Sequence, residues 1–280
     1  MGAGGEHADA ADLRGHGRDD LQDLSDLREN AVSFQALVLA GSRGGVDPVA
    51  DYAGVSHKGL IVLGGQTLLT RVLRALDQAG ATRIGVSTSD IAVVSALEGQ
   101  DRVSPFPAAG GPSQSVHDGA SLMGTPLLVT TVDHALLQPE WMTEFLTKAP
   151  ADCDIAILLA PEAVVRAAAP ETKRTYLKFK DGRFSGCNLF LLRNETALNA
   201  VVFWQTVEGL RKQPWRIAAM IGPMMLLRYA LGLMTLDETL ERLGRAAGVR
   251  AAAVRSSYGL AAVDVDKPAD LDLVRMIVER

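Results

Sequence analysis

Three aspartates follow apolar segments, where a carboxylate is costly to bury. Asp133 comes directly after the run PLLVTTV, and Asp264 and Asp266 alternate with valines in AVDVDKPADLDLV, which predicts that both lie on one face of a strand. A carboxylate at the end of a buried strand is desolvated unless it binds a cation or hydrogen-bond donors. Magnesium uses one or two carboxylates together with substrate phosphates. The pattern therefore favours a metal-ligand role for Asp133 over a loop cap, whereas His134 beside it is expected to be structural.

A glycine-rich turn and a lysine follow the first apolar run of the chain. The turn GSRGG covers residues 41–45, and Lys58 ends the long polar loop that comes after it. Backbone N–H groups of such a turn can approach phosphate oxygens, and the guanidinium of Arg43 can form paired hydrogen bonds to a phosphate. The turn matches neither the P-loop pattern nor the GxGxxG dinucleotide fingerprint. A phosphate cradle and a flexible loop both stay open, with Arg43 favouring the cradle and Lys58 within reach of a triphosphate.

Alternating strand and helix patterns position these side chains. Strands are predicted over 34–39, 84–87, 103–106, 126–131 and 154–159, and helices over 68–78, 91–97, 115–123 and 139–147. Such βαβ units predict an α/β fold, with a mostly parallel central sheet and helices on both faces. Ligands of these sheets bind at the carboxyl ends of the strands, where both the glycine-rich turn and Asp133 fall.

The second half of the chain has a different pattern. A β-hairpin is predicted over 175–193 with its turn at Asp181-Gly182, followed by helices over about 195–248 and strands over 250–265. Residues 1–32 are rich in Gly, Asp and Arg and are expected to be a disordered tail. They lack the apolar core of a secretory signal. We therefore expect a single folded domain over 33–280, with a helical insert in its C-terminal half.

Composition excludes some classes of function. The net charge of -5 among 280 residues argues against a nucleic-acid partner, because phosphate-binding surfaces are usually basic. Cys153 and Cys187 form neither a disulfide framework nor a zinc spacing, so they are expected to be buried thiols in a reducing cytosol.

The most apolar stretch, Ile217 to Met234, needs a separate test for membrane insertion. It is nearly long enough to span a bilayer, for which ~20 apolar residues are needed. Pro223 interrupts it and Arg228 lies inside it, and a charge at mid-span is costly. The pattern favours a buried or surface-lying helical pair, with peripheral membrane contact through 217–234 as the open alternative.

Five segments together resemble the MobA-like NTP transferase family, nucleotidyltransferases with a GT-A type fold. The family's opening loop, its lysine and its first helix are similar to LVLAGSRGG…HKGLIVLGGQTLLTRVLRAL, and its element near the base and ribose is similar to SQSVHDGA. The two aspartate segments of its metal site resemble TTVDHALLQPEWMTEFL and VDVDKPADLDLV. Its acceptor-side hairpin resembles KRTYLKFKDGRFSGCNLFLL.

The resemblance implies roles for individual residues. Arg43 and Lys58 would be the catalytic cations on the triphosphate, and Asp133 and Asp266 would hold Mg²⁺. The nucleotide would be held by Leu39, Ala40, Gly41, Ser42, Gly44, Ser115 and Gly119, and the acceptor by Lys173, Arg174 and Asn188. Residues 33–160 would form the nucleotide-binding half and 161–280 the acceptor-side half. Ser42 stands where the family usually has glycine, and the loop to Lys58 is longer than the family's.

The activity implied by the resemblance is Mg²⁺-dependent transfer of NMP from an NTP to a phosphorylated small molecule, with release of pyrophosphate. CTP is favoured, and GTP comes next. Three alternatives stay open. The first is a GT-A glycosyltransferase, which normally has D-x-D where this chain has Asp133 before His134, and the second is a non-catalytic nucleotide-binding regulator. The third and least favoured is an NAD(P)-binding enzyme, because the glycine fingerprint is missing and Ser87 stands where an acidic residue would end the second strand. The expected state is a monomer or homodimer in the cytoplasm, with a membrane-proximal role left open.

Overall fold

The computed structural model describes residues 33–42, 45, 47–210 and 213–279. The predicted disordered tail over 1–32 lies outside the described residues, and so do the candidate residues Arg43 and Gly44. The described chain from Ser33 onward forms one compact unit.

A mixed sheet forms the centre of this unit, with eight strands among the described residues. The strands are β1 (Phe34–Leu39), β4 (Ala81–Ser87), β5 (Val103–Phe106), β6 (Leu127–Thr131), β7 (Ile155–Pro161), β8 (Leu177–Phe179), β9 (Gly182–Leu192) and β10 (Ala251–Arg255), while a separate two-stranded ribbon contains β2 (Val62–Leu63) and β3 (Gln66–Thr67). The order across the large sheet is β10-β7-β9-β6-β1-β4-β5, and β8 pairs with β9 alone.

Most neighbouring strands of the large sheet are parallel, as the alternation of strands and helices predicts. β1 pairs in parallel with both β4 and β6, and Leu39 lies opposite Ser87 on one side and Thr131 on the other. β9 is the exception, because it pairs antiparallel with β6, β7 and β8. The aligned ends of β1, β4 and β6 bring their carboxyl-terminal loops to one edge of the sheet.

Helices cover both faces of the sheet. Phe34, Ala36 and Val38 of β1 belong to one buried cluster and Leu37 to another, because alternate side chains of a strand point to opposite faces. The helices are α1 (Pro48–Tyr52), α2 (Leu68–Gln78), α3 (Ile91–Ser95), α4 (Pro112–Met123), α5 (Pro139–Lys148), α6 (Glu162–Ala168), α7 (Ala197–Gly209), α8 (Pro214–Ile221), α9 (Pro223–Ala230), α10 (Leu236–Ala247) and α11 (Pro268–Val278). The predicted α/β class is confirmed.

The C-terminal half contains the predicted hairpin, formed by β8 and β9, and the predicted helices, α7 to α10. None of the helices in the described ranges is long and apolar enough to cross a membrane. Cys153 and Cys187 are buried free thiols, as expected, and burial raises the pKa of Cys187 to about 12.

The prediction of strands over 250–265 is wrong beyond Arg255. β10 ends there, a 3₁₀ turn covers Gly259–Ala262, and the segment with Asp264 and Asp266 is irregular. This segment meets the end of β6 through one bond, from the N–H of Val265 to the carbonyl of Asp133 (3.1 Å). Its alternation of buried valines and aspartates therefore comes from packing over the strand ends, not from a sheet ladder.

Part of the long loop before Lys58 is ordered as α1. The side chain of Asp47 caps this helix by accepting hydrogen bonds from the N–H groups of Val49 (2.9 Å) and Ala50 (3.2 Å), and Val49 and Ala50 are buried. α1 packs against α11, where the hydroxyl of Tyr52 donates to Asp272 (3.2 Å). From Asp47 onward this insertion is a packed part of the domain.

Candidate functional site

Lys58 lies between the two aspartates that are predicted to bind a metal. Its Nζ forms an ion pair with Oδ2 of Asp133 and lies 3.9 Å from Oδ1 of Asp266. Asp133 is buried at the end of β6 and Asp266 is exposed. The hydroxyl of Thr131 donates to the other oxygen of Asp133. Two carboxylates from distant parts of the chain therefore converge on one cationic position.

The charge of Lys58 is maintained by these carboxylates. Burial works to lower its pKa, but the neighbouring Asp133, helped by Asp266, outweighs burial and raises the pKa above its usual value. Lys58 therefore stays protonated at neutral pH.

A tight turn places Lys58 against the end of β6. His57 caps the 3₁₀ turn Lys58–Leu60, and its Nδ1 accepts a hydrogen bond from the N–H of Gly59 (3.0 Å). A Cβ on Gly59 would lie 2.9 Å from Cγ2 of Val132, so only glycine allows this approach. Burial lowers the pKa of His57, which keeps Nδ1 free to accept. Neither His57 nor Gly59 was identified from the sequence, because this contact has no local pattern.

The first part of the glycine-rich turn leaves β1 at the same edge of the sheet. The N–H of Ala40 donates to the carbonyl of Ser87 (2.9 Å), which fixes the exit from β1. Ala40 is buried, whereas Gly41 and Ser42 are exposed. Leu39 is the last residue of β1 and is half-buried. The described part of the turn is therefore open to solvent directly beyond the strand.

The two nucleotide candidates of α4 lie in different environments. Ser115 is buried, and its hydroxyl accepts a hydrogen bond from the N–H of Ala109 (3.0 Å), which ties the loop before α4 to the helix. A Cβ on Gly119 would lie 2.7 Å from Cδ2 of Leu37, so this glycine allows α4 to pack closely on β1. The described contacts therefore give Gly119 a packing role, and its contact with a nucleotide stays a prediction.

The predicted acceptor residues Arg174 and Asn188 both bind Asp264. Arg174 forms a buried ion pair with Asp264, and Nδ2 of Asn188 donates to Oδ2 of the same carboxylate (2.6 Å). Burial raises the pKa of Asp264, with Asp266 and Asp133 acting in the same direction and Arg174 opposing them. Lys173 is exposed and is not part of this cluster. Asp264, which was not among the predicted site residues, connects the metal candidates to the acceptor candidates.

The position of Asn188 depends on a bulge in β9. Ile157 of β7 pairs with Phe190 and Leu159 pairs with Gly186, so extra residues of β9 loop out between these pairs. Asn188 has a positive φ of 50°, a conformation that asparagine tolerates better than most residues. The bulge directs the amide out of the ladder and toward Asp264.

His134 has the structural environment that the sequence predicts. It is buried, its Nδ1 lies 3.4 Å from the hydroxyl of Thr130, and its ring centroid is 5.9 Å from that of Trp141. Burial lowers the pKa of His134 to about 4, so the imidazole is neutral at physiological pH.

The arrangement is a charged cluster at the carboxyl ends of β1 and β6. No group of three or more His, Cys, Asp or Glu side chains that could hold a metal by itself occurs in the described ranges. A metal ion bound between Asp133 and Asp266 would need further oxygen ligands from a substrate, which phosphates can supply. Without such a metal the cluster has three carboxylates against the cations Lys58 and Arg174, so the metal would supply the positive charge that a polyphosphate requires.

The sequence of this chain was compared with models of known protein families. The model of the MobA-like NTP transferase domain matches residues 36–177, a range that contains Lys58, Asp133, Ser115 and Arg174. A search of curated proteins found no matching sequence.

Solved structures with the same fold cover nearly all of the chain. A hypothetical transferase from Thermus thermophilus is 30% identical, with a TM-score of 0.73 over 86% of this chain and 100% of that chain. A nucleotidyl transferase from Methanothermobacter is 21% identical, with a TM-score of 0.52 over 89% and 98% of the two chains.

A third structure was solved with a nucleotide. It is CMP:2-keto-3-deoxy-manno-octonic acid synthetase complexed with CTP, which is 16% identical, with a TM-score of 0.53 over 89% of this chain and 99% of that chain. The likenesses at 21% and 16% identity establish the fold alone. The family match, which covers half of the chain, establishes more: this chain is a nucleotidyltransferase and belongs to the MobA-like NTP transferase family.

Proposed function

We propose that this nucleotidyltransferase moves an NMP group from an NTP to a phosphorylated small-molecule acceptor, with Mg²⁺ bound and pyrophosphate released. An oxygen of the acceptor phosphate attacks the α-phosphorus of the NTP. The bond from that phosphorus to the oxygen bridging it to the β-phosphate breaks, and pyrophosphate leaves with the electron pair. The observation that carries the proposal is the convergence of Asp133, Asp266 and Lys58 at the strand ends.

The two aspartates suit Mg²⁺ because both direct an oxygen at the position of the Lys58 ammonium. A bound Mg²⁺ would take that position, which would leave the ammonium free to contact phosphate. Asp133 and Asp266 both contact the ammonium of Lys58, and carboxylate oxygens are the hard ligands that Mg²⁺ prefers. A bound Mg²⁺ would neutralise phosphate charge and polarise the α-phosphate. Thr131, through its bond to Asp133, would keep that carboxylate in position.

Lys58 would act as the cation on the triphosphate. Its raised pKa keeps it charged, and the turn braced by His57 and Gly59 fixes its backbone. Charge neutralisation and alignment are the main requirements of phosphoryl-type transfer, so no general base is needed when the attacking group is an ionised phosphate. Arg43 and Gly44 remain proposed phosphate contacts on the basis of the sequence.

Asp264 would organise the acceptor side. It holds Arg174 by an ion pair and Asn188 by a hydrogen bond, so both side chains are positioned before an acceptor arrives. Arg174 and the exposed Lys173 suit a phosphorylated acceptor because they carry positive charge.

CTP is the first nucleotide to test and GTP the second. The order follows from the family resemblance, and the CTP in the synthetase structure is a property of that protein. The 2-keto-3-deoxy-manno-octonic acid of that enzyme's name also belongs to it alone. The acceptor panel should therefore be broad: phosphorylated sugars, phosphorylated polyols and phosphorylated cofactor precursors.

The test is a pyrophosphate-release assay of the full chain with the four NTPs, the acceptor panel and Mg²⁺. We expect release with one NTP and one acceptor class, and a loss of about 10²-fold or more in Asp133→Asn, because electrostatic groups at such sites contribute that much. Asp101→Asn, which alters an exposed carboxylate before β5, is the matched control and should keep the wild-type rate.

Two results would contradict the proposal. When NDP-sugars replace the NTPs in the same assay, release of free NDP, without pyrophosphate release from any NTP, would indicate glycosyl transfer. An Asp133→Asn variant that binds NTP with Mg²⁺ and releases pyrophosphate as fast as wild type would remove the carboxylate cluster from the mechanism.

A further inference from the structure

The helical pair α8–α9 has apolar side chains on its solvent side. In α9 and the residue after it, Met224, Leu227 and Leu231 follow one another at helical spacing, and all three are exposed (Leu227 52%, Leu231 62%). Met225 is buried on the opposite side of the same helix. In α8, Trp215 is 66% exposed. A helix on the surface of a globular protein normally presents polar residues on its solvent side. The exposed apolar side chains of α8–α9 therefore indicate a surface that contacts another molecule.

The charged residues of the helical pair and its connecting segments are cations, whereas the carboxylates Asp237, Glu238 and Glu241 lie on the neighbouring α10. Residues 209–236 contain the cations Arg211, Lys212, Arg216 and Arg228 and no aspartate or glutamate, although the whole chain has a net charge of -5. Arg216 is exposed on α8. An apolar face whose own segment contains cations and no anions is complementary to an anionic surface that has an apolar interior.

A depression beside the pair adds a second feature of the same chemistry. It has a volume of about 250 Å³ and is lined by Ile221 and Met225 from α8 and α9 and by Arg242 and Arg245 from α10. Arg245 lies 3.3 Å from Glu241, and Arg242 forms no ion pair within the described ranges. Two guanidinium groups beside an apolar floor suit the phosphate and upper acyl chain of a phospholipid.

A second copy of the chain fits this face less well. A symmetric contact through α8–α9 would bring the cations of both copies together. The carboxylates on α10 are already bound within the chain, Asp237 by Arg255, Glu238 by the N–H of Thr235 and Glu241 by Arg245. An anionic bilayer neutralises the same cations, accepts the exposed Trp215 at its interface, and needs no spanning helix.

We propose that the face formed by Trp215, Met224, Leu227 and Leu231, with the Arg242–Arg245 depression beside it, docks peripherally on an anionic phospholipid bilayer. The apolar side chains enter the interface, and the arginines bind lipid phosphates. This inference is independent of the nucleotidyl transfer proposed above.

The test is flotation of the full chain with vesicles of phosphatidylcholine alone or of phosphatidylcholine mixed with phosphatidylglycerol. We expect binding to the mixed vesicles that weakens as salt is added. The double variant L227Q/L231Q should bind about tenfold more weakly or worse, because the buried apolar area is lost. R242Q/R245Q should lose most of the preference for phosphatidylglycerol.

The matched control removes two exposed apolar side chains elsewhere. Ile91 is 82% exposed and Leu122 is 65% exposed, so I91Q/L122Q should float as wild type does. Unchanged melting temperatures of all variants would show that they are folded, since every altered side chain is exposed. Pyrophosphate release by the same variants in the absence of vesicles reports separately on the nucleotidyltransferase activity.

Three outcomes would overturn the proposal. In the first, wild type does not float with the mixed vesicles. In the second, I91Q/L122Q loses binding as much as L227Q/L231Q does. In the third, sedimentation velocity shows a wild-type dimer that L227Q/L231Q dissociates while vesicles bind neither protein, which would assign the face to a second copy.

Discussion

The strand-end cluster around Lys58 buries charged side chains, whereas the helical pair α8–α9 exposes apolar ones. At the strand ends, Asp133 and Asp264 are buried, and each has cationic and hydrogen-bonding partners. In α8–α9, the large apolar side chains of Trp215 and Leu227 are exposed. Both arrangements cost free energy in the isolated chain. Each therefore marks a place where a ligand or a surface is expected to complete the structure.

The largest difference in stability should separate two aspartates that are two residues apart. Asp264→Ala leaves the guanidinium of Arg174 buried without its carboxylate, so we expect a loss of about 3 kcal/mol in the free energy of unfolding. Asp266→Ala, which removes an exposed carboxylate, should cost less than about 1 kcal/mol. Urea unfolding of both variants measures this, and equal losses would contradict the buried network.

The next effect concerns the turn that places Lys58. Gly59→Ala puts a Cβ 2.9 Å from Cγ2 of Val132 and 3.0 Å from Nδ1 of His57, and such overpacking costs about 1–3 kcal/mol. Gly209→Ala, where a Cβ meets nothing within 4 Å, is the control and should not destabilise. Thermal unfolding measures the loss. The double variant Gly59→Ala/Val132→Ala should recover part of it, and no recovery would mean that the clash is not the cause.

A pH-dependent effect belongs to the scaffold, away from both regions. The N–H of Arg250 (2.7 Å) and the amide of Asn194 (2.9 Å) hydrogen-bond to Asp154 and lower its pKa. As pH falls, Asp154 is protonated in the unfolded state before it is protonated in the folded state. The contribution of the ionised Asp154 carboxylate to the free energy of unfolding is therefore fully present above about pH 4 and is lost as pH falls through the folded-state pKa. Asp154→Asn should cost about 1–2 kcal/mol at pH 7 and progressively less in acid.

The control for that experiment is the neighbouring Asp152→Asn, because Asp152 is exposed and lies 3.8 Å from Arg250. Its unfolding free energy should follow the wild type at every pH. A constant difference between Asp154→Asn and wild type from pH 7 to pH 3 would exclude the ionised carboxylate as the source.

The smallest effect is expected on the solvent side of α9. Leu227→Gln should change the free energy of unfolding by no more than about 0.5 kcal/mol, because the side chain is exposed in the isolated chain. Met225→Gln, on the buried side, should lower the melting temperature clearly. If Leu227→Gln destabilised as much as Met225→Gln, the contrast between the strand-end cluster and α8–α9 would not hold.

Local patterns predicted the scaffold well because the strands and helices are short-range features. β1 and α2 have the predicted bounds, since apolar runs and helical spacing determine both. α1 was not predicted, although the sequence contains a signal for it: Asp47 followed by proline is a typical helix start.

The contacts of the site are long-range, and no local pattern contains them. Lys58 and Asp133 are 75 residues apart in sequence, and Arg174 and Asp264 are 90 apart. The family resemblance selected Asp133, Asp266 and Lys58, which do lie together. Asp264 was noted beside Asp266, but the resemblance assigned it no role, and its burial beside Arg174 depends on how the chain crosses the strand ends.

The bulge at Asn188 divides β9 into two parts that pair with different strands. Residues 190–192 pair with both β6 and β7, whereas residues 184–186 pair with β7 and residues 182–184 with β8. Because the register is reset between these parts, changes in the hairpin need not propagate into the sheet. Residues of the hairpin can thus be exchanged while residues 190–192 keep their pairing with β6 and β7.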